Sequence, residues 1–388
     1  MKILFVITSL EIGGAQTFLL RLYEYLQNQG NEVYLLNLHF SKHQLGSGNL
    51  KNAFHFHPPG HLNLKIKSYI IRKPISQLRF KAQVNFAKKI INQVKPDIIN
   101  SHLWFADYVV FETLKKTKKI PHIVSMHGCY ENWLNNENKE LSDRFIQRSR
   151  GILSQCDGII TAAEKNDAIF NEIGIQPTRK CIYYGYPKQV LCLEETDKII
   201  RFGLVARGIK EKGWKEAILA FVELSKLYGN LELILVGGGK YLEVLKKRYE
   251  KYDNIVFTGS VHDPRKFIRS ITIGLLPTYF PSESLPNTII EYLAFGKPVI
   301  STDIGEIPNM ISSKNGDAGF VIRLENNQKV NTQILKNVMQ NYIENQSLIA
   351  KHSKRAHLAF RKFKLENCSE NYLKFFSRFT FNEKNPAS

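Results

Sequence analysis

Ile273-Gly274-Leu275-Leu276-Pro277-Thr278, Pro281-Ser282-Glu283-Ser284-Leu285-Pro286-Asn287-Thr288-Ile289-Ile290-Glu291 and Ala294-Phe295-Gly296-Lys297-Pro298-Val299-Ile300-Ser301 read, in that order, as strand, turn, helix and strand. The run Ile273–Leu276 is apolar without alternation, the pattern of a strand covered on both faces. Pro286 suits the first position of a helix, where a missing N–H costs nothing. That helix is predicted over Asn287–Phe295; Gly296 closes it, and Pro298 opens the strand Val299–Ser301.

The same rhythm extends outward in both directions. Upstream, Ile199–Val205 reads as a strand, Trp214–Tyr228 as a helix, Leu231–Val236 as a strand, Tyr241–Tyr252 as a helix and Ile255–Phe257 as a strand. The first half repeats it. Strands are expected at Lys2–Thr8, Glu32–Leu38, Asp97–Ser101, His122–Met126 and Gly158–Thr161, with helices at Ala15–Gln29 and Gln83–Val94. Strands separated by helices imply parallel sheets with both faces covered, and two successive sets imply two doubly wound, Rossmann-like α/β domains. The expected divisions are an N-terminal domain at 1–187, a polar linker at 188–198, a C-terminal domain at 199–359, and a segment 360–388 whose aromatic-rich helix packs across the domains.

With 388 residues, 43% hydrophobic and 23% charged, the chain has the composition of folded domains. Its five cysteines (129, 156, 181, 192 and 368) form no CxxC pair and no zinc-type spacing, which implies reduced thiols. No stretch reaches the roughly 20 apolar residues of a membrane span. Met1 to Leu10 is read as a buried first strand and not as a signal peptide, because Glu11 interrupts the expected pattern and no clean cleavage site follows. A cytoplasmic protein is expected.

Formal charge is +19, and its placement is uneven. Between Val33 and Pro96 there is no Asp or Glu, while Lys42, Lys51, Lys65, Lys67, Arg72, Lys73, Arg79, Lys81, Lys88, Lys89 and Lys95 alternate with Phe54, Phe56, Tyr69 and Phe80. Such a surface attracts anions, and peripheral docking on an anionic membrane face is the expected use. A solvated face of a basic protein is the alternative.

The chemistry centres on the opening stretch. The loop Glu283-Ser284-Leu285 precedes a helix N-terminus, whose free N–H groups and positive dipole end suit a diphosphate. Glu283 and Glu291 are carboxylates, which repel phosphate but accept hydrogen bonds from sugar hydroxyls. Arg207 and Lys212 follow the strand Ile199–Val205 and supply two cations to one loop. Gly237-Gly238-Gly239 ends the next strand in a turn that lets backbone approach a ligand, a weak signal alone.

Taken together these residues resemble the family 4 retaining glycosyltransferases, whose mark is two Glu separated by seven residues and followed by Ala-x-Gly-x-Pro-Val. Glu283, Glu291, Ala294, Gly296, Pro298 and Val299 match that mark. The resemblance implies the GT-B fold, two Rossmann-like domains facing across a cleft. It implies that Glu283 contacts the transferred sugar, that Glu291 contacts the ribose, and that Arg207 and Lys212 hold the departing diphosphate. It places Ser284, Leu285 and Gly238 at the donor, along with the Gly13-Gly14 loop after the first strand, and it sets His127 facing the sugar. Ala206 stands where relatives carry Gly, and Tyr184 where they show Asn.

His102 is a weaker candidate. His55, His57 and His61 have no nearby carboxylate to complete a metal site. No metal or cofactor is expected. Gly208–Gly213 has Walker spacing, but Trp214 replaces the required Lys. The function expected is transfer of a sugar, with retained configuration, from a nucleoside diphosphate sugar (UDP favoured) to a hydroxyl of a lipid-linked or surface glycan. A nucleotide-sugar epimerase and a basic nucleic-acid binder are the alternatives. The second lacks any recognition motif, so no nucleic-acid partner is expected.

Overall fold

The computed structural model describes residues 1–11, 13–40, 45, 50–58, 69–115, 120–128, 139–189, 199–325 and 329–380; the side chains of 69–75 and 139–142 are not described. The chain divides into two compact units, Met1–Gly185 with Leu365–Ser388, and Tyr186–Lys364. The expected segment 360–388 is divided between the two, and its helix Leu365–Thr380 groups with the first unit. Most of the expected linker, 190–198, lies outside the described residues.

The first unit carries seven parallel strands: β1 (Lys2–Ile7), β2 (Glu32–Asn37), β3 (Ala53–His55), β4 (Ile98–His102), β5 (His122–Met126), β6 (Gly158–Thr161) and β7 (Arg179–Cys181), in the order β3-β2-β1-β4-β5-β6-β7. Strands β4, β5 and β6 are buried at every residue, as their unalternating sequences predict. One core cluster joins Leu4, Val6 and Ile99 to Val109 and Val110; another joins Val124 and Ile159 to Phe170. The helix Leu365–Thr380 packs on this unit: Tyr372 lies 6.0 Å from Phe18 ring to ring, and Phe375 and Phe379 press on Gly158, where an added Cβ would meet them within 3.0 Å.

The second unit has six parallel strands: β8 (Ile200–Val205), β9 (Leu231–Val236), β10 (Ile255–Gly259), β11 (Ile273–Leu276), β12 (Val299–Thr302) and β13 (Gly319–Ile322), in the order β10-β9-β8-β11-β12-β13. Its core gathers Phe202, Leu204, Trp214, Phe221 and Leu235.

Three edge or short strands were not expected: β3, β7 and β13. β7 reads Arg-Lys-Cys and carries no apolar run, so only its ladder to β6 reveals it. The helix at Gln83–Val94 starts earlier, at Tyr69, and helices also form at Trp104–Leu114, Lys139–Leu153, Thr332–Glu344 and Ser347–Phe360. Trp104–Leu114 is apolar nearly all round, so it has no helical periodicity to read.

In each unit the strand order reverses at one place, between β1 and β4 and between β8 and β11. Chains leaving those neighbouring strands diverge to opposite sides, opening a crevice beyond their carboxyl ends. The candidate residues sit there. Gly13 and Gly14 follow β1 and His102 ends β4; Arg207 and Lys212 follow β8 and Glu283 follows β11.

Candidate active site

In the second unit the loops after β8 and β11 bring three predicted residues together. Lys212 lies in a 3-10 turn, Lys210–Lys212, and is buried. Its ammonium pairs with Glu283 Oε2, and both side chains are more than nine-tenths buried. Gly213 makes this placement possible. Its φ is +78°, and any Cβ would lie 2.1 Å from the carbonyl oxygen of Pro277. Arg207, by contrast, is exposed. Its guanidinium lies 5.6 Å from the centre of the Phe280 ring, and the ammonium of Lys212 lies 5.1 Å from the same ring. Phe280 thus carries both cations, an arrangement that ring quadrupoles favour.

The loop holding Glu283 is braced on several sides. The Thr278 hydroxyl lies 3.0 Å from Glu283 Oε2, the Thr302 hydroxyl donates to the carbonyl of Thr278 at 2.5 Å, and Glu306 N–H donates to the carbonyl of Ser284 at 2.9 Å. Gly305, at φ +61°, passes so close that a Cβ there would meet the carbonyl oxygen of Glu283 at 2.4 Å. Ser284 and Leu285 are buried in this packing.

The helix begins at Asn287 with Pro286 as its N-cap, one position earlier in the cap than expected, and no side chain caps it. A helix N-terminus carries a positive dipole end, which suits an anion. The helix is pinned to the end of β8. Thr288 Oγ1 donates to the Val205 carbonyl at 2.9 Å, and the buried Tyr292 hydroxyl accepts from Val205 N–H while donating to the Gly203 carbonyl, each at 3.0 Å. Burial pushes the Tyr292 hydroxyl well above its usual range, so it stays protonated. Glu291, the neighbour of Tyr292, is buried at the same helix.

Gly238 has a packing role besides the donor contact expected of it. The glycine turn after β9 is packed against the turn after β8: Gly208 N–H donates to the Gly238 carbonyl at 2.9 Å, and Cβ atoms at Gly208 or Gly239 would strike the opposing backbone within 2.8 Å. These glycines are required for that approach whether or not a ligand also uses the turn.

In the first unit Gly13 is the N-cap of the helix Gly14–Asn28 and adopts an extended backbone. The Gln16 side chain lies across it, 2.4 Å from where a Cβ would be. His127 follows β5 and is part-exposed, yet both ring nitrogens are engaged within the unit. Nε2 lies 2.7 Å from His102 Nδ1, and Nδ1 lies 2.7 Å from the Tyr184 hydroxyl. The ring partners of His127 are thus both supplied by its own unit. Close by, Ser101 Oγ donates to the buried Asp107 carboxyl group at 2.6 Å and lies 2.8 Å from His122 Nε2. Burial raises the Asp107 pKa to about 8 and lowers that of His122 to about 3.

Among the described residues no three His, Cys, Asp or Glu side chains gather as metal ligands. His55 and His57 both pack on Phe40 instead, with ring centres at 5.6 and 4.5 Å, and His61 lies outside the described residues. Of the described cysteines, Cys156, Cys181 and Cys368 are free thiols. No helix among the described residues is long and apolar enough to cross a membrane.

Family profiles match both units: residues 12–184 fit Glycosyltransferase Family 4, and residues 198–340 fit Glycosyl transferases group 1. The chain belongs to the family 4 glycosyltransferases. Sequence relatives of this family include the alpha-monoglucosyldiacylglycerol synthase of Streptococcus pneumoniae, 24% identical over 59% of this chain and 56% of that one. The chain thus spans little more than half the length of that curated relative. Among solved structures, sucrose-phosphate synthase from Thermosynechococcus elongatus superposes with a TM-score of 0.78 at 15% identity, covering 97% of this chain and 99% of that one. HepE from Anabaena, solved in complex with UDP, gives a TM-score of 0.74 at 16% identity, over 97% and 100%. These likenesses assign the GT-B fold class.

At this candidate site the sequence signature points to Glu283, Glu291, Arg207 and Lys212 but not to Phe280, Thr278, Thr302 or Gly305. Thr278 ends the segment 273–278 and Phe280 falls between it and Pro281, and that signature gives neither a role. Their roles depend on what they touch, which spacing does not carry. Tyr184 was noticed only as a departure from the family pattern, not as the partner of His127.

Proposed function

We propose that the protein is a retaining glycosyltransferase that moves a sugar from a nucleoside diphosphate sugar to a hydroxyl of a lipid-linked glycan or glycolipid. One observation carries the donor half: two cations on a shared aromatic ring, beside a buried carboxylate, at the uncapped N-terminus of a helix. Negative charge grows on a departing diphosphate, and Arg207, Lys212 and the N–H groups at Asn287 are groups that stabilise it. Glu283 then receives sugar hydroxyls and Glu291 the ribose. No metal is needed in this reading, because the fixed cations supply the charge. UDP is favoured as the carrier because HepE was solved with it.

For the acceptor, a relative's name refers to a glucosylated diacylglycerol, and residues 33–96 of this chain carry no acid. In the described part of that region Lys51, Lys81, Lys88, Lys89 and Lys95 are exposed. Each basic residue near an anionic bilayer contributes about 1 kcal/mol, enough together for reversible docking. Vesicles rich in anionic lipid are expected to co-sediment with the protein at low salt, and release at high salt supports this mode.

The donor reading is tested by thermal stabilisation against UDP-, ADP- and GDP-sugars without added metal. A rise in melting temperature with one carrier is expected, and it should be lost in Arg207→Ala. Absence of stabilisation by every nucleotide sugar refutes it. Release of an epimerised sugar from donor alone would refute transfer.

A further inference from the structure

Along the line Asn100, His102, His127, Tyr184, each close contact needs one donor and one acceptor, and a single link orients all the others. Asn100 is fully buried on β4. Its Nδ2 donates to the backbone carbonyl of Ile123 on β5 at 2.9 Å. A carbonyl oxygen only accepts, so the amide cannot be turned round, and Oδ1 faces His102 Nε2 at 2.8 Å. An amide oxygen also only accepts, so His102 carries its hydrogen on Nε2. Burial pushes the pKa of His102 well below the usual range and that of His127 to about 3, so both rings are neutral and hold one N–H each. His102 Nδ1 is then a lone pair, and the atom 2.7 Å away, His127 Nε2, must be the donor. His127 Nδ1 is left as an acceptor, so the Tyr184 hydroxyl 2.7 Å away turns its hydrogen to it, with the His127 backbone carbonyl a second, longer acceptor at 3.4 Å.

The backbone is also held unusually at this point. Leu103, directly after His102, has φ +72° and ψ 136°, which side-chain-bearing residues rarely adopt. Ala106 N–H donates to its carbonyl at 2.8 Å and lies 3.2 Å from the Thr8 hydroxyl, fixing the turn that delivers His102. Such strain persists only where surrounding structure imposes it.

We propose that Asn100 and His102 are positioning residues that lock His127 in its Nε2–H tautomer, so that Nδ1, held by the Tyr184 hydroxyl, is an acceptor that a ligand reaches only by putting its own hydroxyl in that place, and not a cation for a phosphate. The identity of that hydroxyl, a sugar's in place of the Tyr184 hydroxyl, rests on the proposed function; the lock itself does not.

The test is nitrogen NMR of the full chain with 15N-labelled histidine, which distinguishes a protonated ring nitrogen from a bare one. Wild-type His127 should show a protonated Nε2 and bare Nδ1 between pH 6 and about 8. His102→Phe keeps a ring in place but removes the acceptor, so His127 should become a mixture of tautomers. Tyr184→Phe should leave the tautomer unchanged, because the lock is set from the opposite end. A protonated Nδ1 in the wild type, a cationic His127 at neutral pH, or an unchanged tautomer in His102→Phe overturns the proposal; the first two need no variant to fold. In turnover, His102→Phe should lower kcat by up to about 10²-fold with the donor KM little moved, as for a misplaced contact group. Adding UDP-glucose should shift the Nδ1 signal. A locked tautomer with no shift on saturation supports the lock and sinks the placement of His127 at the sugar.

Discussion

Replacing Lys212 by alanine separates two properties that the family signature treats as one. The Glu283 carboxylate would stay buried, with side-chain exposure of 8%, and its remaining neighbour would be the Thr278 hydroxyl. Removing one member of a buried ion pair costs roughly 3–5 kcal/mol, because the other charge has lost its compensation. For a unit of this size each kcal/mol moves the melting temperature by about 2–4 °C, so a fall on the order of 10 °C is expected. Arg207→Ala should behave differently. Its guanidinium is exposed, and surface changes usually stay within about 0.5 kcal/mol. Yet both variants should lower kcat, each by roughly 10²–10³-fold, as for the loss of one electrostatic group. Calorimetry and turnover on the same preparations provide the comparison. A double variant, Lys212→Met with Glu283→Leu, should recover most of the stability while remaining inactive, since both buried charges are then gone. The reasoning fails if Lys212→Ala melts within about 2 °C of wild type, or if the effects at 212 and 283 simply add.

Phe280→Ala removes the ring beneath both cations; at about 0.5–1 kcal/mol per exposed cation–π contact, UDP should bind about five- to thirtyfold more weakly by calorimetric titration, and an unchanged Kd would discard the role given to Phe280. Gly305→Ala combines a left-handed backbone with a Cβ placed 2.4 Å from the Glu283 carbonyl. It should abolish donor-induced stabilisation, whereas Gly30→Ala, at φ +81° with open space around it, should cost only about 1–2 kcal/mol of backbone strain. The buried Asp107 binds a proton in the folded state up to about pH 8, while in the unfolded chain it releases it near pH 3.9. The folded state therefore holds more protons in that window, and this residue makes stability fall as pH rises from about 4 to 8. Asp107→Asn can still accept from Ser101 and should flatten that decline in urea titrations; an unaltered slope would show that Asp107 is charged when buried.

Much of the architecture was readable in order along the chain. Unalternating apolar runs such as Ile273–Leu276 and His122–Met126 announced covered parallel strands, and Gly296 with Pro298 marked where one helix stopped. The Glu283/Glu291 spacing with Arg207 and Lys212 located the candidate donor site, because residue type and separation are themselves sequence properties. Strand order is not such a property. That β11 lies beside β8, with β9 on its other flank, follows from pairing between segments some 70 residues apart, and this pairing puts Glu283 against Lys212.

Only tertiary packing assigned the two cations different surroundings, one buried and one exposed on the same ring. Packing likewise turned His127 from a lone histidine into the third member of a directed chain. Hydrogen-bond direction is settled by the backbone carbonyl of Ile123, an atom every residue possesses, so nothing in the identities of Asn100, His102 or His127 could have announced it. The helix Leu365–Thr380 joined the first unit for a similar reason. Its aromatic face was legible, but the surface it covers, Gly158 and Phe18, is assembled only when β6 and the first helix have come together.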